Sequence, residues 1–337
     1  MTRITASIPE IRDVDAGHAF ERVAAESAPV VIRGLASTWP LVQKGLESSA
    51  ELSRYLLGFY QDTPVTAFVS ESDIGGRLFY TDELADTNFR QIKTTLGSVL
   101  DRIRQHESDP APPTVYMGSA ALDHFLPGLS TGNSLPLGGI KATVRIWIGN
   151  RTTVAAHYDV LDNIACVCAG RRRFTLFPPD QLANLYVGPI DFTPAGQSVS
   201  LVDLDEPDFD RYPRFAEALQ HAQSAVLEPG DAIFIPSMWW HHVEALESLN
   251  ILINHWWRDV PAHMGPPGDA LLHAILNIRD LPAAQRRAWQ GIFEHYVFEP
   301  GSQTADHIPR HRRGALGEID DDTARRMRAL LRNNLNR

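Results

Sequence analysis

The chain has 337 residues, 44% hydrophobic and 21% charged, with a formal net charge of −10. That length buries a large core, as one big domain or as one domain with an appendage, and the composition is that of a globular protein. The acidic balance argues against a broad nucleic-acid or anionic-membrane surface, though not against a local basic patch. No apolar run approaches membrane-spanning length, and residues 1–14, which hold Arg3, Glu10, Arg12 and Asp13, show no secretory apolar core. The two cysteines, Cys166 and Cys168, fall two apart on one predicted strand, where same-face neighbours rarely suit disulfide geometry. A reduced, cytoplasmic setting is the expectation.

In chain order, the periodicity predicts a helix over 16–26 and a short apolar strand over 28–35. A turn follows at 37–40, with Ser37 or Thr38 placed to cap what comes next. A helix over 48–60 and a strand over 64–69 come after it. Residues 70–141 read as several strands, a helix over 92–104 and a Pro-rich loop at 109–113, which leads into the strand of Tyr116. Strands are predicted over 142–148 and 163–168, with a polar turn at 149–153 and another turn at Gly170. Arg171, Arg172 and Arg173 then enter an apolar strand over 174–177. Two of them read as a solvated hairpin tip, and one as turned inward to fork a carboxylate.

Residues 180–227 form a long insertion with an acid run at 203–208 and a short helix over 214–223. The run lacks the Gly and terminal Glu of a calcium loop, so it reads as a solvated lid. Pro229-Gly230-Asp231 is a turn, 232–235 a buried strand, and Pro236 breaks it before an aromatic-rich strand with His241. After Pro266-Pro267-Gly268 the pattern becomes helical. Asp269 caps a helix over 270–279, Pro282 opens one over 283–297, and a linker spans 299–317. The last helix, over 320–333, has acids at its start and arginines further on, matching the helix dipole. The expected domains are 1–120, an α/β elaboration; 121–262, a β-core with the chemistry; and 263–337, a helical region.

The chemistry centres on His157-Tyr158-Asp159. On a strand, His157 and Asp159 point the same way. His241 is the candidate third ligand, and His242, one residue on, points to the opposite face. Two imidazoles and one carboxylate on one face make the facial triad of non-haem Fe(II) oxygenases, which leaves coordination positions open. A structural zinc site uses more Cys or His and closes the shell.

The spacing Gly230…Pro236…His241 resembles the second metal motif of the cupins. Leu176-Phe177-Pro178-Pro179-Asp180 and Trp239-Trp240-His241-His242-Val243 resemble the Jumonji-C-like, cupin-8 branch, as does the run from Pro29 to Gly34 with Trp39-Pro40. Within that branch the chain is similar to the asparaginyl hydroxylases that modify hypoxia-inducible factor and to their bacterial cupin-like relatives, over about residues 29–257. The resemblance implies a mainly β fold with α, built on a double-stranded β-helix (jelly-roll, cupin) core. It implies an Fe(II)- and 2-oxoglutarate-dependent dioxygenase that uses O₂ to hydroxylate a C–H bond, with His157, Asp159 and His241 as ligands. By the same resemblance, Tyr116 and Arg172 hold the distal carboxylate of 2-oxoglutarate, Asn163 and Asn254 flank the carboxylate nearest the metal, and Trp256 walls the pocket. It also implies a homodimer through the C-terminal helices.

Four positions depart from the family pattern. Met238 and Gly118 stand where the pattern has Gly and Gln, and Val154 and Arg172 where it has Thr and Lys. The resemblance favours a protein or peptide side chain as substrate over a small molecule, and the acidic surface makes RNA the least favoured. The competing readings are a metal-binding cupin without oxygenase activity, acting as sensor or scaffold, and a small-molecule hydroxylase of the same fold. A zinc- or nickel-dependent isomerase or hydrolase is a weaker third.

Overall fold

A computed structural model describes residue 4 and residues 6–14, 16–23, 26–194 and 196–336. The chain divides into two units, Met1–Arg258 and Asp259–Arg337.

The first unit is built from two sheets. The smaller one has the strand order Ala6–Ser7, Gln223–Leu227, Arg172–Phe177, Trp240–Ala245, Thr153–Tyr158, Arg77–Leu78. The larger runs Glu10–Ile11, Val30–Ile32, Ala232–Ile235, Asp162–Ala169, Asn250–Trp257, Thr143–Gly149, Thr114–Ala121, Val65–Ser70, Arg90–Thr94. Alternation along each strand decides what goes where. On Asn250–Trp257, Ile251 and Ile253 face outward into a core shared with Leu41, Leu52, Leu56 and Leu100 of the covering helices. Leu252, Asn254 and Trp256 face inward and line a cavity with residues of the smaller sheet. A second core closes the space between the sheets, where Val167, Ile233 and Leu252 meet Phe174, Leu176 and Leu227. The outer face of the smaller sheet carries Phe177 and Trp240, which pack on Phe215 and Leu219 of the helix Phe215–His221.

The Pro-Gly-Asp turn ties the sheet to the N-terminal strand. Asp231 accepts from Arg33 at 2.6 Å, from the Gly34 amide at 2.9 Å and from the Glu228 amide at 3.0 Å. Gly230 sits at φ +97°, and a Cβ there would lie 3.0 Å from Ser37 Cα, so only Gly serves.

Several predicted boundaries move. The helix expected over 92–104 begins at Leu96, capped by Thr95, which accepts from the Ser98 amide at 3.1 Å. Residues before it form the edge strand Arg90–Thr94, paired with Val65–Ser70, and sheet pairing overrides helix propensity there. Neither Ser37 nor Thr38 caps the next helix. It starts at Pro40 with Trp39 as its unbonded N-cap, because Pro at the first position presets the helical φ. The insertion helix ends at His221, and Gln223–Leu227 becomes a strand against Arg172–Leu176. Cys166 and Cys168 are both buried and free.

The second unit contains the helices Pro267–Ile278, Ala283–Phe293 and Asp321–Leu335. Asp269 lies inside the first turn rather than at the cap, since Pro267 starts the helix two residues earlier. Asp320 caps the last helix by accepting from the Thr323 amide at 2.8 Å. Short helical turns break up the predicted linker. Among the described residues no helix is long and apolar enough to cross a membrane.

Candidate metal centre

His157 and His241 are direct cross-strand partners on Thr153–Tyr158 and Trp240–Ala245, with ring centroids 4.2 Å apart. Asp159 lies just past the strand end, where its carbonyl accepts from the Met238 amide at 2.8 Å. Its Oδ2 stands 3.7 Å from His241 Nε2. One ligand atom from each of the three lies within 4.8 Å of the others. Each imidazole donates from Nδ1 to a carbonyl two residues back, His157 to Ala155 at 2.9 Å and His241 to Trp239 at 3.0 Å. Those bonds fix the tautomer and leave Nε2 as the free lone pair on both rings. Burial first, and the neighbouring His157 second, lower His241 to about 4 against the opposing pull of Asp159, so His241 is a neutral donor.

Met238 adopts φ +71°, the left-handed region, at the position where the cupin motif has Gly. The departure is one of residue type only. The backbone turn is kept, at a cost of about 1–2 kcal/mol for a side chain in that region. His242 sits on the opposite face, buried, with Nε2 unpartnered and Arg77 and Asp203 as its charged surroundings. Burial pushes it down to about 3.

Beside the triad lies a cavity of about 300 Å³, lined from both sheets. Tyr116, Asn163, Arg172, Asn254 and Trp256 all reach its wall, and so does Val154. Arg172 is buried, and among the described residues no carboxylate lies within ion-pair distance of it. Its guanidinium lies beside the Tyr116 hydroxyl, while Nε and Nη2 have no partner. Burial lowers the Arg172 pKa and raises that of Tyr116. Asn163 Oδ1 and Trp256 Nε1 are also buried without partners. Trp147 donates from Nε1 to Asn254 Oδ1 at 2.6 Å, which leaves the Asn254 amide nitrogen free to donate. Orphaned buried polar atoms are rare in folded proteins. Four of them around one cavity, from both sheets, three being donors, fit an anionic ligand such as a dicarboxylate. Val154 brings no hydroxyl to this cavity.

Gly118 has a physical explanation. A Cβ there would meet Phe68, Tyr116 and Trp147 ring carbons at 3.2–3.3 Å, so three aromatic rings occupy the space a Gln side chain would need. The insertion expected to be a solvated lid also contributes. Pro194, Gly196, Gln197 and Val199 line the cavity, and Asp203 pairs with Arg77 at 2.9 Å. Sequence reasoning missed Trp147, which stacks on Tyr116 at 6.0 Å. Its signal was available, because Arg145 and Trp147 alternate with buried Ile146 and Ile148.

Two facing sheets with a two-histidine, one-carboxylate cluster on the inner face define a metal-binding jelly-roll protein. Residues 16–263 match the model of the cupin-like domain, and the chain belongs to that family. It is 32% identical over 171 residues to the chicken (Gallus gallus) tRNA wybutosine-synthesizing protein 5, covering 51% of this chain and 45% of that one. It is 27% identical over 259 residues to lysine-specific demethylase 8 of Xenopus tropicalis, covering 74% of this chain and 53% of the relative. Lysine-specific demethylase JMJ31 of Arabidopsis thaliana is 32% identical over 129 residues, 36% of this chain and 23% of that protein. The chain thus spans about half or less of the length of these relatives. They support the Jumonji-C-like cupin grouping, not the particular likeness to the hypoxia-factor asparaginyl hydroxylases.

Proposed function

We propose that the chain is an Fe(II)- and 2-oxoglutarate-dependent dioxygenase that hydroxylates a C–H bond, in first place on a protein side chain. The observation that carries this is the juxtaposition of an open three-ligand cluster with a buried, carboxylate-free guanidinium across one cavity. Bound there, Fe(II) and 2-oxoglutarate supply the two-electron oxidation of a C–H bond by O₂, with succinate and CO₂ as co-products. His157 and His241 would hold the metal through Nε2 and Asp159 through its carboxylate. Arg172 and Tyr116 would hold the distal carboxylate of the cosubstrate, the guanidinium from its two unpartnered donor positions. Asn163 and Asn254 would orient the other carboxylate, with Trp256 as the wall beside it. Phe68, Leu78, Val154 and Val199 keep water away from the reacting carbon.

The test is anaerobic addition of 2-oxoglutarate to the Fe(II)-loaded protein, followed by exposure to O₂. The expected results are a visible metal-to-ligand charge-transfer band and then succinate. A metal-loaded protein that gives neither is a sensor or scaffold instead. The relatives named for tRNA wybutosine synthesis favour a second reading, an RNA nucleoside as substrate, and the net charge of −10 weighs against it. Parallel turnover with peptide and tRNA pools separates the two. A homodimer through the C-terminal helices is supported by their exposed Leu272, Leu276 and Trp289, and light scattering measures it.

A further inference from the structure

We propose that the substrate carries a carboxylate and that Arg145 holds it beside the cavity. This rests on the oxygenase reading above and deepens it.

Arg145 stands on the strand Thr143–Gly149 in the inward alternation shared with Trp147. Its cross-strand partner on one side is Asn254, with Trp256 diagonal to it, and on the other side is Ala121. Trp147, Asn254 and Trp256 all line the cavity, as does Ser119. Among the described residues the one hydrogen bond of Arg145 is a long one, from Nη1 to the Ser119 carbonyl at 3.4 Å. Its Nε is buried with no partner, and among the described residues no carboxylate pairs with it. Trp256 Nε1, on the diagonal, is a second stranded donor. In a chain with 41 acidic and 31 basic residues, a half-buried guanidinium without an acid is conspicuous. Desolvating a cation without a counter-charge is costly, and an anion from outside the chain offsets that cost.

This position is separate from the cosubstrate end. Tyr116, the partner of Arg172, is paired with Gly149, four residues along the strand from Arg145. At about 3.3 Å per residue that sets the Arg145 backbone about 13 Å along the sheet from the Tyr116 register, at a different position in the fold from the cosubstrate end. The chemistry favours a carboxylate over a phosphodiester. One planar fork matches a carboxylate, and among the described residues lining the cavity Arg172 is the one Lys or Arg. A nucleic-acid backbone calls for several cations.

The test uses the N-methylamides of N-acetylglutamate, of its neutral twin N-acetylglutamine, and of N-acetylphosphoserine, so that the side-chain group is the one charge each acid carries. Each is titrated into Zn(II)-loaded protein saturated with 2-oxoglutarate, so that the Arg172 end is occupied. The readouts are the Nε–H NMR resonance of Arg145, assigned by its loss in Arg145→Gln, and isothermal titration calorimetry, which gives the affinity in the wild type and in the variants. The expected result is a saturable shift with the acid and none with the amide. Arg145→Gln should weaken acid binding about tenfold, the weight of one charge-assisted hydrogen bond. Arg145→Lys, which keeps the charge and loses the fork, should fall between. Equal shifts with acid and amide, tighter binding of the phosphate, no shift with any probe, or unchanged acid binding in Arg145→Gln would each overturn the proposal. Repeating the titration on metal-free protein without 2-oxoglutarate separates the two claims. A shift there sustains the Arg145 subsite even where no charge-transfer band forms, and a band without the shift sinks the subsite alone.

Discussion

Replacing Arg172 with Met should stabilise the ligand-free protein while removing its affinity for 2-oxoglutarate. Nε and Nη2 of Arg172 are buried without partners, and each stranded donor costs about 1–3 kcal/mol. Met is unbranched and apolar, and fills a similar slot without stranding a polar atom. Against that gain stands the lost interaction with the Tyr116 hydroxyl, counted as about 1 kcal/mol, and the phenol left behind without it. The net expectation is a gain of about 1–2 kcal/mol, which for a unit of this size raises Tm by about 2–8 °C. Adding Tyr116→Phe removes the stranded phenol and should raise Tm further. Thermal melts by circular dichroism, with and without 2-oxoglutarate, measure both effects. The wild type should gain stability from the ligand, and Arg172→Met should gain none. A ligand-free Arg172→Met protein that melts below the wild type would refute the reasoning, because it would mean that the guanidinium is already satisfied.

Three other outcomes follow from the same geometry. His157→Ala and Asp159→Ala should each lower bound Fe(II) at equilibrium and abolish succinate formation, and turnover surviving either change would remove the ligand assignment. Gly149→Ala would place a Cβ 2.7 Å from Tyr116 Cδ2 and 3.0 Å from the Val115 carbonyl, so the Tyr116 ring must shift from its place beside Arg172. The KM for 2-oxoglutarate should rise about tenfold with Fe(II) affinity unchanged, as expected when one anchoring group is misplaced. His255 is pushed down to about 4 by burial, and its Nε2 accepts from the Leu135 amide at 3.2 Å. A folded pKa below the unfolded value of about 6.5 gives stability that is complete above pH 6.5 and lost as pH falls toward 4, by up to about 1.4 kcal/mol per unit. Urea midpoints of metal-free wild type and His255→Gln at pH 7 and pH 5 test this, and equal slopes for the two would disprove it.

What could be read in advance depended on whether the cause was local. His157 and Asp159 share a strand end, so parity alone set them on one face, and parity also separated His241 from His242. The Pro229-Gly230-Asp231 turn was legible from its residues. The edge strand Arg90–Thr94 was not, because its stabilisation comes from Val65–Ser70, more than twenty residues away. The inward role of Arg145 was hidden for the same reason. It needs the register with Asn254, which no window along the sequence contains. The Gly118 departure was visible, but its cause lies in Phe68 and Trp147, which only the folded sheet brings together.

The three consecutive arginines show how far parity reaches. Arg171 pairs with Glu247 at 2.6 Å and Arg173 with Glu244 at 2.9 Å. Arg172 faces inward on the same short run and has no acid to meet. Arg145, on the opposite sheet, repeats the pattern. In a chain with a surplus of acidic side chains, an unpaired guanidinium is not explained by scarcity of partners. Both of these lie on inner faces, where the desolvation penalty is largest and the incentive to pair is strongest. The two proposed anions, one at the Tyr116 end of the cavity and one beside Ser119, would each supply the partner that the chain does not.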